Sequence, residues 1–147
     1  MKQESVEAMV PAAQLIEMFT FKIASNQPIE KITANVPAVC EKNKFSILQT
    51  FNYQEILEGK GFPIQRKVFI YEICQAKVAA KMLTTNPEFS IFMPCKIAIY
   101  ENDGHTIIST MNMEIALKAV EDNVELYNEA TAMFNTLKAL LVSLKNS

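Results

Sequence analysis

Only three glycines, one histidine and one arginine occur in this chain, and no apolar run approaches the roughly 18 residues of a membrane span. The scarcity of glycine argues against a phosphate-cradling loop. The pair Gly59 and Gly61 follows a helical stretch instead of opening one, so Gly59-Lys60-Gly61-Phe62-Pro63 reads as a helix end and loop, not as a P-loop or dinucleotide fingerprint. The lone arginine, Arg66, the scattered lysines and a formal charge of −2 leave no basic footprint, which argues against a nucleic-acid partner. The start MKQESVEAMVPAAQLIE lacks a signal-like apolar core, so the three cysteines, an odd number, are expected as reduced thiols in a cytoplasmic protein. A soluble chain with no membrane partner is the corresponding expectation.

What is present is enough for one core. The 147 residues are 50% hydrophobic and 20% charged, the size and balance of a single globular domain that buries roughly two-thirds of its unfolded surface. Residues 1–16 read as a loose lead-in, with room for a helical turn, and residues 17–147 as the domain. Alternation over Glu17–Ala24 places Phe19, Phe21 and Ile23 on one face of a first strand. Ser25-Asn26 then caps a helix entered at Pro28, with Ile29, Ile32, Val36 and Val39 on one stripe, and Pro37 is expected to kink or split it. Cys40, beside that stripe, reads as a small buried hydrophobe.

Phe45–Phe51 reads as a second strand with Phe45, Ile47 and Phe51 on one face, followed by a short helix at Tyr53–Glu58. Lys60, Arg66 and Lys67 form a local positive patch. The third strand, Arg66–Cys74, is apolar on both faces, as if covered by helices on one side and by a second subunit on the other. Beyond it lie a helix at Ala76–Thr85, a break at Asn86-Pro87, a fourth strand opened by Met93-Pro94-Cys95, and a turn at Asn102-Asp103-Gly104, where Asp-Gly readily takes the positive φ angles of a hairpin. His105–Met111 completes that hairpin. After Asn112 the chain turns helical, and Asp122 with Glu125 suggests a capping box for a last helix whose stripe Leu126, Ala130, Met133, Leu137, Leu140, Leu144 must be buried. It is expected to lie across the sheet, with a dimer seam as the alternative. The order predicts a two-layer α+β domain: a mostly antiparallel sheet of about five strands, covered by helices, with a long C-terminal helix.

The stretch Glu72–His105 gathers Cys74, Cys95, the histidine and the hairpin. Its layout resembles the bacterial and archaeal family catalogued as domain of unknown function 302, in which a cysteine at a strand-to-helix junction is followed by a helix and a Leu-Pro-Cys strand start. Here Cys74-Gln75-Ala76 stands for the family's Cys-Asn-Pro and Met93-Pro94-Cys95 for its Leu-Pro-Cys. The resemblance runs from the first strand to the last helix. It implies a fold likened to that of the TATA-binding protein, and dimers; it implies no activity.

Three functions follow as expectations. The first is a non-enzymatic homodimer binding a small apolar or sulfur-containing ligand between sheet and helices, with Cys74, Met93, Cys95 and His105 as candidate contacts. The second is a thiol-redox enzyme or sulfur carrier, in which Cys74 is activated by the helix N-terminus, Cys95 resolves and Glu72 serves as proton partner on the same strand face. The third is a soft-metal protein taking zinc or copper at Cys74 and Cys95; the spacing matches no zinc motif.

Overall fold

The computed structural model describes residues 11–147. Five strands, β1 (Thr20–Ser25), β2 (Ser46–Asn52), β3 (Val68–Cys74), β4 (Cys95–Asn102) and β5 (His105–Met111), form one antiparallel sheet in the order β1-β5-β4-β3-β2. Helices α1 (Ala12–Met18), α2 (Ile29–Lys42), α3 (Tyr53–Gly59), α4 (Ala76–Thr85), α5 (Glu114–Lys118) and α6 (Val124–Lys145) make up the rest, with a 3-10 segment at Pro87–Phe92. This is the expected two-layer α+β architecture. No helix among the described residues is long and apolar enough to cross a membrane.

The core lies between one face of the sheet and the stripes of α2 and α6. Ile73, Ile97, Ile99 and Ile108 are fully buried from the sheet side, and Ile32, Val36, Leu137, Leu140, Leu141 and Leu144 meet them from the helices. Every stripe residue expected for α6 is buried. The opposite parity, Val68, Ile70, Ala98, Tyr100 and Ile107, is only half-buried, as on a sheet face with no helix across it. The hairpin turns where Asp103 and Gly104 take φ of 50° and 77°, and Asn102 pairs with His105.

Several local expectations are corrected. Glu17 lies in α1, not in the first strand, which starts at Thr20; the Thr20 hydroxyl donates to the Ile16 carbonyl at 3.0 Å and closes that helix. The lead-in reading of residues 1–10 falls outside the described residues. Ser25 does not cap α2. Its hydroxyl accepts from the Gln27 N–H at 3.1 Å and donates to the Lys145 carbonyl at 2.9 Å, tying β1 to the end of α6.

Pro37 does not split α2, because Ile29, Ile32, Val36 and Cys40 are all buried on one stripe and that packing outweighs one lost backbone bond. In β2 a bulge between Ile47 and Gln49 adds a residue, so Ile47 and Phe51 leave opposite faces. The α6 cap is Asn123, whose side chain accepts from the Leu126 N–H at 3.1 Å, one residue beyond the expected Asp122.

Candidate functional site

Strand pairing decides where the two half-buried thiols sit. In the β3–β4 ladder Ile73 lies opposite Cys95, so Cys74 is a diagonal neighbour one residue out of phase. Side chains one step apart in adjoining strands leave opposite faces, and Cβ vectors that point apart do not close a disulfide. All three cysteines are free. Burial, and then the neighbouring Cys74, push the Cys95 thiol up to about 11, with Lys96 acting in the other direction, so it is a neutral thiol at neutral pH. Cys40 belongs elsewhere. It is 1% exposed in the core, where burial also pushes it up to about 11, and it adds to the burial that pushes nearby Tyr71 up to about 12.

Beyond Cys74 the chain enters α4 without a side-chain cap. Gln75, at the capping position, turns its amide to the Asn43 carbonyl at 3.2 Å and fastens the α2–β2 turn instead. Helix α4 presents Val78 and Met82 to the core, and Asn86 caps the 3-10 segment by accepting from the Glu88 N–H at 2.9 Å. That segment brings the chain back to β4 through a cis Met93–Pro94 bond. The loop therefore returns the chain to the end of β3, next to Cys74.

Two apolar cavities flank this return. The inner one, about 280 Å³, lies between α4, the 3-10 segment and the sheet end. Cys74, Cys95, Met82, Met93, Met113 and Met133 are the sulfur-bearing residues that line it, and Leu48, Leu83 and Phe89 are among the others that close it. The outer one, about 530 Å³, shares Phe92, Met93, Pro94, Cys95 and Met113 with it.

Its origin is a split in the sheet. The β4–β5 ladder stops at Ala98–Ser109, while β3–β4 continues to Cys95 and β1–β5 continues to Met111. Across the split, the Thr110 hydroxyl donates to the Lys96 carbonyl at 2.6 Å and the Ser109 hydroxyl to the Ala98 carbonyl at 3.3 Å, supplying donors to carbonyls beside the gap.

The structure brings Cys74, Met93 and Cys95 together and leaves the other candidates outside. His105 pairs with Asn102, seven residues along β4 from Cys95, about 23 Å away at roughly 3.3 Å per residue. Its ring Nδ1 lies 3.1 Å from the Asp103 carbonyl at the hairpin turn. Glu72 lies on the sheet face away from the helices and is held by Lys96 at 3.1 Å. Of the positive patch, Lys67 is paired with Glu30, and Arg66 donates to Asn102 at 3.4 Å.

Met82, Met113 and Met133 were not expected at the site; they come from α4, the start of α5 and α6, and methionine at helical spacing reads as core filling. Among the described residues no three or more His, Cys, Asp or Glu side chains converge on a point. A metal here would have thiol and thioether sulfur as its donors.

The fold has a counterpart. A crystal structure of an uncharacterised conserved DUF302 protein from Bacillus stearothermophilus is similar, with a TM-score of 0.70, 21% identity, 88% of this chain covered and 97% of that one. At that identity the likeness concerns the fold. No curated protein matches. The model of the family described as "Domain of unknown function DUF302" matches residues 21–144, from β1 to the end of α6, and the chain therefore belongs to that family.

Proposed function

We propose that this domain is a non-enzymatic homodimer that binds a small apolar or sulfur-containing molecule in the inner cavity. The observation that carries the reading is the composition of that cavity: about 280 Å³ lined by apolar and sulfur-bearing residues, with Gln75 as the polar exception and no charged group. Ligand sites are concave, mostly apolar and roughly 300–1,000 Å³; the outer cavity, about 530 Å³, falls within that class and the inner one, about 280 Å³, lies at its lower edge. The candidate acid–base groups support a binding role over a chemical one. Glu72 is engaged by Lys96 on the other face, His105 is at the far strand end, and Cys95 holds its proton.

Dimerisation is supported by the half-buried apolar residues on the helix-free sheet face, Val68, Ile70, Tyr100 and Ile107. A stable pair of copies buries roughly 800 Å² on each partner, and one face of a five-stranded sheet can supply that area. Sedimentation equilibrium is expected to report a dimer that Tyr100→Glu converts to monomer.

The binding test is saturable entry of an anilinonaphthalene-type fluorescent probe, one per chain, and its loss in Ala79→Phe, which fills the cavity from α4. Equal binding by both forms would overturn the assignment of the cavity. A second reading, thiol chemistry at Cys74, is favoured by its half-buried place just before the uncapped start of α4. It predicts alkylation of Cys74 far faster than that of a free thiol. A third, soft-metal binding, draws on the same sulfur atoms, the donor type copper(I) takes. It predicts that Cys95→Ser loses bound metal.

A further inference from the structure

The two adjoining cavities differ in one respect that bears on the ligand class. The inner one is lined by no charged residue, while the outer one is lined by one, Lys96, whose side chain is half-exposed near the Cys95 end of β4. The hydroxyls around the outer cavity are already donating: Thr20 to Ile16, Ser109 to Ala98 and Thr110 to Lys96. Lys96 is thus the cationic group an anion can meet, by displacing its carboxylate partner. Its present partner is Glu72, at 3.1 Å, an exposed pair of the kind worth little. Around the same opening, Phe19, Ile91 and Met111 are 52%, 80% and 42% exposed, an apolar rim on the way in.

We propose that the ligand is a single-chain carboxylate amphiphile, its tail in the inner cavity and its carboxylate at Lys96 on the edge of the outer one. The proposal rests on the inner cavity being the binding site. The inner cavity, about 280 Å³, has room for several water-sized groups in a row, the bulk of a medium-length alkyl chain. Phe92, Met93 and Met113 line both cavities, and the unbranched methionines can adapt to let a chain reach from one to the other. In the complex the ligand carboxylate replaces that of Glu72 on the Lys96 ammonium, while Glu72 remains a nearby like charge. Glu72 therefore works against the ligand and Lys96 works for it.

The experiment is isothermal titration of the full chain with decanoate and, in parallel, with 1-decanol, which has the same tail and no charge. Lys96→Ala is expected to weaken decanoate about two- to five-fold, the range of an exposed ion pair, and Glu72→Gln to tighten it by a similar factor; decanol stays unchanged in both. The opposed directions separate the charge effect from any loss of fold. Equal effects on acid and alcohol, or no change for the acid in either variant, would overturn the proposal. If decanoate and decanol both fail to bind while the fluorescent probe still enters, the amphiphile is wrong and the cavity reading stands. If the probe is also excluded, both fall.

Discussion

Cys95 lies directly opposite Ile73 in the β3–β4 ladder, which sets Cys74 one residue out of phase with it. The two residues line one cavity from adjoining strands, and yet their strand positions turn them to opposite sides of the pleat. Mild oxidation of the purified protein is therefore expected to form no disulfide between Cys74 and Cys95. Intact mass after treatment with oxidised glutathione checks this: glutathione adducts agree, whereas a two-proton loss mapped to a Cys74–Cys95 peptide pair does not.

Alkaline pH should loosen the fold. Burial pushes Cys40 and Cys95 up from 9.0 to about 11, so the folded state holds these protons more tightly than the unfolded chain does. Their contribution is complete below about pH 9 and is lost as pH rises towards 11, with Tyr71, pushed up from 10.0 to about 12, extending the same trend. Each group lowers stability by up to about 1.4 kcal/mol per pH unit inside its window. Urea unfolding between pH 7 and about pH 10.5 is expected to show this slope, and Cys40→Ala to make it shallower.

Ser25 is a further point of leverage. It is 2% exposed, and its hydroxyl joins the end of β1 to the last turn of α6 through Gln27 and Lys145. Ser25→Ala removes both part-buried bonds and is expected to cost about 0.5–1.5 kcal/mol in urea unfolding. A cost within experimental error contradicts the tie.

The layer order, the antiparallel sheet and the buried stripe of α6 were legible in the sequence because each rests on periodicity over many residues: six stripe positions in α6, and alternation in β4 and β5. Single-residue events were not. The bulge after Ile47 reverses the facing of Phe51, yet no glycine or proline marks it. Ser25 and Asn123 are both good capping residues by type, and only the tertiary position of Lys145 and the first turn of α6 decides which of them caps.

The site was half legible for the same reason. Cys74, Met93 and Cys95 flank a short helix and its return loop, a local arrangement. Met113 and Met133 arrive from elements far along the chain, and their place depends on how α5 and α6 dock. Glu72 and His105 were candidates by chemistry and strand parity; pairing with Lys96 and with Asn102 sets one on the open face and the other at the hairpin turn.

The cavity itself is most directly tested through its methionines. With methyl-labelled methionine and assigned resonances, titration with the fluorescent probe followed by carbon–proton NMR reads each thioether separately. The account predicts shifts at Met82, Met93, Met113 and Met133, which line the inner cavity, and none at Met18, which is 52% exposed on α1. Saturable binding that leaves those four unmoved, or that shifts Met18 instead, would contradict the assignment of the inner cavity as the binding site.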